Sequence, residues 1–229
     1  AGKILKAAGV DISLDPSDFP FMTMREAHIA GLPVRIFRIS FTGELSYEIN
    51  IRARHGLALW THLMKAGAEF GITPYGTEAM HVLRAEKGFI IVGQETDGSV
   101  TPQDLGMDWI VSKVKPDYIG KRALERVSMA ADNRKQLVGL RTKERKQVIP
   151  EGAHAVLDPN QPMPMDMLGQ VTSSYYSPNV GSSIAMAMLK GGRALMGGTV
   201  YLPLLDGSVI EAEVVEPIFY DPKGERLNG

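Results

Sequence analysis

The chain has 229 residues, which is enough for one large domain or two small ones. A composition of 44 % hydrophobic and 22 % charged residues is typical of a globular protein, and the net charge of −1 gives no electrostatic reason to expect nucleic acid or a membrane as a partner. Disulfide bonds, thiolate metal sites and cysteine nucleophiles are excluded because there is no cysteine, which also fits a reducing cytoplasm.

The first residues predict a helix over 1–8 that stops at Gly9, a plausible C-cap. Because the chain opens without a methionine and already in helix-forming sequence, we expect it to be a fragment or a processed piece. Residues 21–30 predict a short helix that ends at Gly31. The longest unbroken apolar run, 89–92, is too short to span a membrane.

Two apolar runs in the first quarter of the chain predict a β-hairpin. Residues 34–41 are rich in β-branched and aromatic side chains, and 45–51 alternate between apolar and polar, which is typical of a half-buried strand. Residues 42–44 suit a tight turn in which Gly43 supplies a positive φ. The polar face of the second strand presents Glu48 close to the turn. By pattern alone this carboxylate is either an ordinary solvated group or part of a binding site.

More helices are expected before about residue 136, where the sequence pattern changes to short apolar runs. Residues 55–68 carry apolar side chains at offsets of three and four, which predicts an amphipathic helix. Thr77 is a fair N-cap for a helix that ends at Gly88. Residues 101–104 combine a cap residue, a proline at the first helical position and an acid at the third, which is a well-formed helix start. A last helix is expected over 120–131.

From about Gln136 onward, short apolar runs alternate with turn signals, and this pattern predicts a small antiparallel β-barrel or sandwich. We expect the boundary near Asp132, which gives a first domain over 1–131 and a C-terminal barrel over 132–229. Residues 163–167, biased towards methionine, are expected to form a loop. The expected strands are 136–142, 153–157, 168–172, 183–189, 199–204 and 208–215.

Several kinds of site find no support in the motifs. The five histidines show no metal-ligand spacing, so no metal site is expected. A glycine-rich dinucleotide turn, a phosphate-binding loop and a nucleophile elbow are all missing from the sequence. Nucleotide binding through such a turn and hydrolysis by a serine triad are therefore not indicated.

One stretch resembles a known family. Residues 41–49, Phe-Thr-Gly-Glu-Leu-Ser-Tyr-Glu-Ile, are similar to the TGE-x-G-[YF]-E-I strand of the folate-binding aminomethyltransferases. That family includes the glycine-cleavage T-protein and the folate domains of dimethylglycine- and sarcosine-oxidising enzymes. The sequence of residues 77–88, TEAMHVLRAEKG, most resembles the carboxy-terminal part of the sarcosine oxidase α subunit. Further matches follow in the family's order at 59–60, 101–102, 119–121, 169–173, 177–178 and 219–222.

The resemblance implies roles for a few residues. Glu48 matches the family's pterin-binding glutamate, and an ionised carboxylate can accept hydrogen bonds from two adjacent N–H groups of a reduced pterin. Phe41 matches an aromatic position, usually tyrosine, so the ring is kept and the hydroxyl is lost. Arg84 is a third cofactor-binding candidate, although it and Glu86 could equally form a structural ion pair. Family transferases carry an arginine four residues before Arg84, where this chain has Met80.

The fold implied by the resemblance belongs to the α+β class. It is a folate-binding aminomethyltransferase-type domain without its N-terminal portion, followed by a small antiparallel β-barrel. In the family the catalytic carboxylate lies upstream of the residues present here, so no catalytic residue is assigned and the isolated chain is expected to be inactive.

The function implied is that of the tetrahydrofolate-binding region of a sarcosine oxidase α subunit. It would capture the one-carbon unit from oxidative demethylation of sarcosine as 5,10-methylenetetrahydrofolate. Flavin and NAD would belong to parts of the intact protein outside this chain, and the partners would be folate and the other subunits of a hetero-oligomeric oxidase. Two alternatives stay open: a stand-alone T-protein-like aminomethyltransferase, and a non-enzymatic folate-binding or scaffolding module.

Overall fold

The computed structural model describes residues 1–131 and 133–229, and its internal contacts divide the chain into two compact units. The first unit comprises residues 1–80 with 223–229, and the second comprises 81–222. The expected domain boundary near Asp132 lies outside the described residues, so the division into 1–131 and 132–229 stays a prediction.

The first unit opens with α1 (Gly2–Ala7), which is followed by Gly9 at φ 73°, as expected. The helix predicted for 21–30 is wrong: these residues form strand β1 (Met24–Ile29), which pairs antiparallel with β2 (Leu32–Phe37). Buried and exposed residues alternate along the end of β1, a period of two that only a strand can satisfy. Gly31, at φ 75°, lies in the two-residue hairpin turn instead of capping a helix.

Strand β3 (Glu48–Asn50) pairs antiparallel with β2, which confirms the predicted hairpin partners. Gly43 has the predicted positive φ, 78°, but residues 38–47 form one irregular loop between the two strands instead of a tight turn. Polar groups of this loop form hydrogen bonds that do not belong to the β-sheet. The hydroxyl of Ser46 donates to the carbonyl oxygen of Ile39 at 2.8 Å, and the backbone N–H of Leu45 donates to the carbonyl oxygen of Arg226 at 2.9 Å.

Two longer helices follow the three-stranded sheet. α2 (Gly56–Gly67) lies where the amphipathic pattern predicts it. α3 (Thr77–Glu86) already includes Thr77, the expected N-cap, and ends two residues before Gly88. One face of the sheet packs on α1 and α2 to form the core of the first unit. The buried residues of this core are Leu5, Ala8, Leu14, Phe19, Ala27, Ile29, Val34, Ile36 and Leu59.

The helix expected to start at 101–104 does not form, although its capping interactions do. The N–H of Thr101 donates to the Asp104 carboxylate at 2.8 Å, and the N–H of Asp104 donates to the Thr101 hydroxyl at 3.3 Å. The chain then turns at Gly106, where φ is 72°. The reciprocal hydrogen bonds of Thr101 and Asp104 therefore stabilise a turn instead of starting a helix. The helix expected over 120–131 is shorter than predicted and consists of α4 (Lys121–Leu124).

The strands predicted beyond Gln136 are confirmed, and they form a six-stranded antiparallel sheet. Its order is β5-β6-β7-β4-β9-β8. Backbone hydrogen bonds of 2.8 and 3.0 Å between Val156 and Tyr201 join the two ends of this order, which closes the sheet into a barrel. The α+β class with a C-terminal barrel is confirmed. The strands are β4 (Lys135–Thr142), β5 (His154–Ala155), β6 (Gly169–Ser177), β7 (Ser182–Lys190), β8 (Thr199–Pro203) and β9 (Val209–Val215).

Candidate functional site

The open face of the three-stranded sheet carries the Glu48 carboxylate. Ile49 packs against the core of the first unit, so Glu48 and Asn50 on either side of it face away from that core. The side-chain amide of Asn50 donates to Oε1 of Glu48 at 2.7 Å. Across the described residues, Oε2 of Glu48 receives no hydrogen bond or ion pair. The carboxylate is therefore exposed, oriented through one oxygen and able to accept hydrogen bonds through the other.

Other polar side chains continue this open face. Arg35 lies opposite Asn50 in the register of β2 and β3, and Glu26 lies opposite Arg35 in the register of β1 and β2. Glu26, Arg35 and Asn50 line a depression of about 680 Å³, and Glu48 lies outside its lining. At its far side Asp11 accepts hydrogen bonds from the backbone N–H of His28 at 2.6 Å and pairs with its imidazole at 2.9 Å. These two hydrogen bonds lower the pKa of Asp11.

Phe41 lies in the loop of residues 38–47 that leads into β3, and its ring is 42 % exposed. The base of this loop is anchored by Arg38, which is almost fully buried and donates from Nη1 to the carbonyl oxygen of Phe19 at 2.8 Å. Tyr47 closes the other end of the loop, with its ring centroid 6.0 Å from that of Phe19. Burial raises the pKa of Tyr47. Phe41 and Glu48 therefore both belong to the first unit, on one anchored segment.

Arg84 belongs to the second unit and is fully buried. Its Nη1 donates to Oε2 of Glu95 at 3.0 Å, and its Nη2 donates to the hydroxyl of Ser173 at 2.5 Å. Ser173 in turn donates to the other oxygen of Glu95. In the structure of residues 1–131 and 133–229, the Nε of Arg84 is buried without a hydrogen-bond partner, as is the Nε of Arg38. The arrangement is a closed polar network that holds the residues after α3 against β6.

The carboxylate partner of Arg84 is Glu95 and not Glu86. Glu86 instead accepts hydrogen bonds from the hydroxyl of Ser177 at 2.6 Å and from the amide of Asn179 at 2.9 Å. Sequence reasoning misses Glu95 because the residue lies outside α3, and no helical or strand period links it to Arg84. The only signal available is the position of Ser173 within a family-like stretch.

Neither a metal centre built from His, Cys, Asp and Glu nor a membrane-spanning helix can be identified in the described part of the chain. No group of three or more His, Cys, Asp or Glu side chains among these residues could hold a metal ion. None of the helices that the structure describes is long and apolar enough to cross a membrane.

Comparison with protein families matches both parts of the chain. Residues 1–115 match the family described as the GCVT N-terminal domain. Residues 135–221 match the glycine cleavage T-protein C-terminal barrel domain, and these residues contain the closed six-stranded sheet.

Individual relatives include a sarcosine oxidase subunit, a dimethylglycine dehydrogenase and an aminomethyltransferase. The chain is 46 % identical over 226 residues to the sarcosine oxidase subunit alpha of Corynebacterium sp. (strain P-1), covering 96 % of this chain and 23 % of that protein. It is 33 % identical to the mitochondrial dimethylglycine dehydrogenase of Homo sapiens, covering 99 % of this chain and 26 % of the relative. The crystal structure of glycine cleavage system aminomethyltransferase T from Bartonella henselae superposes with a TM-score of 0.77 at 25 % identity, over 96 % of this chain and 56 % of that one.

Proposed function

The chain belongs to the glycine-cleavage T-protein family, and on that premise we propose that it is the tetrahydrofolate-binding region of a sarcosine oxidase-like enzyme. In the intact protein it would capture the one-carbon unit from oxidative demethylation of sarcosine as 5,10-methylenetetrahydrofolate. The observation that carries the proposal is the Glu48 carboxylate, exposed on an open sheet face with Oε2 open to a ligand. The 46 % identity to a sarcosine oxidase subunit alpha supports this reaction over others in the family.

The side chains around Glu48 fit a reduced pterin. The ring edge of the pterin presents adjacent N–H donors, and an ionised carboxylate is an acceptor only, so the two are complementary. Asn50 fixes the orientation of the carboxylate through Oε1. Phe41, 42 % exposed, offers an aromatic face to the ring, and its lack of a hydroxyl limits it to apolar contact.

When bound, tetrahydrofolate supplies two secondary-amine nitrogens that take up a carbon at the oxidation level of formaldehyde. Glu48 would hold the pterin edge and so fix where those nitrogens lie. Arg84 stays a predicted cofactor-binding residue. It is fully buried, and its Nη1 and Nη2 are engaged by Glu95 and Ser173, so the proposal rests on Glu48 and Phe41.

The oxidation of the amine requires groups that this chain is not proposed to hold. The chain spans 23 % of the length of its Corynebacterium relative, so flavin and NAD sites are assigned to other parts of the intact protein. The relative is a subunit by name, and we propose other subunits of a hetero-oligomeric oxidase as partners. A cytoplasmic location stays a prediction. The chain alone is expected to give no turnover of sarcosine.

A stand-alone aminomethyltransferase is the second candidate, favoured by the TM-score of 0.77 with the Bartonella henselae enzyme. Met80, where the resembling transferases carry arginine, argues against it. The two functions differ in the donor of the carbon. Formation of methylenetetrahydrofolate from sarcosine by the intact protein supports the oxidase, whereas formation from an aminomethyl-lipoyl carrier supports the transferase.

Calorimetric titration with tetrahydrofolate tests the site directly. Glu48→Ala removes a charge-assisted pair of hydrogen bonds worth about 1.5–3 kcal/mol, so the Kd should rise roughly ten- to hundred-fold. Glu48→Gln should recover part of this loss, because the amide accepts through one oxygen and turns a donor towards donors. The matched control is Glu26→Ala, which removes another exposed carboxylate from the same sheet face and should leave the Kd unchanged.

Thermal melts of the same variants separate binding from folding. Both Glu48 and Glu26 are exposed, so each substitution should change the free energy of unfolding by less than about 0.5 kcal/mol. If Glu48→Ala binds tetrahydrofolate as tightly as the unmodified chain, the assignment of Glu48 is wrong. A lack of saturable binding by the unmodified chain would contradict the proposed pocket itself.

A further inference from the structure

Three methionines alternate with proline and aspartate in residues 163–167, and all three line one cavity of the second unit. Met163 is 77 % exposed and Met167 is 41 % exposed, while Met165 is partly buried. Methionine usually packs inside a protein, where its sulfur contacts other apolar groups. Here the three methionine side chains instead border a shared open space, where a ligand could reach them.

The cavity has a volume of about 940 Å³ and a wall that favours cations. His154, exposed at the start of β5, contributes an imidazole. The charged residues along the described lining are Glu151 and Asp206, and no lysine or arginine is among them. Ser208 donates its hydroxyl and its backbone N–H to Asp206, which lowers the pKa of that carboxyl and keeps it ionised. The electrostatic character of the wall is therefore negative.

The C-terminal half of the methionine segment is held in place by hydrogen bonds. The backbone N–H of Asp166 donates to the side-chain oxygen of Gln161 at 2.8 Å, and Gln161 itself donates to the carbonyl oxygen of Asp158 at 3.0 Å. Immediately after Met167, the N–H of Leu168 donates to the carbonyl oxygen of Ala155 at 2.8 Å. Because Ala155 follows His154 in β5, this bond ties the end of the segment to the strand that bears the imidazole. The potential ligands are thus brought to one cavity by the fold itself.

The types of donor decide which cation fits. Thioethers are soft, polarisable ligands that select Cu⁺ over hard cations such as Mg²⁺ and Ca²⁺, which need several oxygen ligands. Zinc sites are built from cysteine, histidine and carboxylate, and no group of three or more such residues in the described chain could hold a metal ion. We propose that Met163, Met165 and Met167, with His154 as the nitrogen ligand, form a binding site for a soft monovalent cation of the Cu⁺ type. This site shares no residue with the proposed folate site, so each can be tested without the other.

The first test uses Ag⁺, a soft monovalent cation that does not change its oxidation state under assay conditions. The ε-methyl groups of the 12 methionines are labelled with ¹³C and followed by NMR while Ag⁺ is added in a chloride-free buffer. The signals of Met163, Met165 and Met167 should shift together and saturate at a single Ag⁺ per chain. Met22 and Met24, which are 71 % and 40 % exposed in the first unit, report non-specific binding. Equal shifts at these two residues, or no shift at the three, would overturn the proposal.

The second test uses volume-conserving substitutions. The triple variant Met163→Leu/Met165→Leu/Met167→Leu keeps the apolar volume and removes all three sulfur atoms. Its Kd for Ag⁺ should rise by more than about 100-fold, since losing even the outer-shell partners of a metal ligand costs roughly 10- to 100-fold. His154→Gln should weaken binding by about tenfold. The matched control Met22→Leu/Met24→Leu removes two exposed thioethers elsewhere and should bind Ag⁺ as the unmodified chain does.

The outcomes separate a specific cation site from non-specific binding of Ag⁺ to exposed methionines. Unchanged Ag⁺ binding by the triple variant refutes the proposal, as does an equal loss in the control variant. Zn²⁺ should leave the three methyl signals in place, and a Zn²⁺-induced shift of the same size would refute the selectivity for soft cations. If the triple variant does not fold, the titration of the unmodified chain still decides the question, because it identifies the binding methionines without any substitution.

Discussion

The buried ion pair between Arg84 and Glu95 allows a stability prediction worked from its geometry. Both side chains are completely buried, and their charged atoms lie 3.0 Å apart. Oε2 of Glu95 also accepts the backbone N–H of Ile91 at 2.7 Å, and Oε1 accepts the hydroxyl of Ser173. Glu95→Gln keeps the shape of the side chain and removes its charge. The guanidinium then stays buried without a counter-ion, and the amide turns a donor towards groups that themselves donate.

The magnitude follows from the cost of an uncompensated buried charge. Breaking a buried pair by removing one partner costs roughly 3–5 kcal/mol. In a chain of this size each kcal/mol lowers Tm by about 2–4 °C, so Glu95→Gln should melt roughly 6–20 °C below the unmodified chain. The matched control is Glu211→Gln, which breaks the exposed pair with Lys143, whose side chains are 41 % and 72 % exposed. An exposed pair of this kind contributes about 0–1 kcal/mol.

Urea and thermal unfolding of the unmodified chain and of the two single variants provide the measurement. A third variant, Arg84→Met/Glu95→Leu, removes both charges together. It should be more stable than Glu95→Gln, because no isolated charge remains in the core. The reasoning is refuted if Glu95→Gln unfolds within about 1 kcal/mol of Glu211→Gln, since that result would mean the buried charge is compensated by other groups.

Two further predictions concern close packing and pH. A Cβ added at Gly139 would lie 2.5 Å from the carbonyl oxygen of Glu216, so Gly139→Ala should lower the free energy of unfolding by about 1–3 kcal/mol, whereas Gly98→Ala, which meets no atom within 4 Å, should not. Burial acts to raise the pKa of Asp104, but hydrogen bonds from Arg134 and Thr101 outweigh it and lower that pKa below 3.8. The stability contributed by Asp104 is fully present above pH 3.8, the unperturbed pKa, and is lost as the pH falls through the lower pKa of the folded state. The difference in unfolding free energy between the unmodified chain and Asp104→Asn should therefore shrink in acid. A difference that stays constant with pH would contradict this prediction.

The sequence by itself determines those parts of the fold that local patterns encode. Strands β4 to β9 recur as short apolar runs between turn residues, so their positions can be predicted without knowledge of their partners. The amphipathic helix α2 is encoded in the same way by apolar residues three and four apart. Glu48 could be singled out because the strand alternation places it on the polar face and because the stretch that contains it resembles a family motif. In each case the signal lies within about ten neighbouring residues.

Tertiary structure decides what depends on distant partners. Residues 21–30 are compatible with either a helix or a strand, and it is pairing with β2 that makes them β1. The reciprocal cap at Thr101 and Asp104 forms without a helix behind it, because Gly106 turns the chain away. Arg84 finds its counter-ion in Glu95 and its hydroxyl partner in Ser173, 89 residues away, since burying a charge is tolerable only where the fold brings a partner to it. The local sequence does not encode the pairing of Arg84 with Glu95 and Ser173, because the free energy that favours this pairing arises only when the core forms.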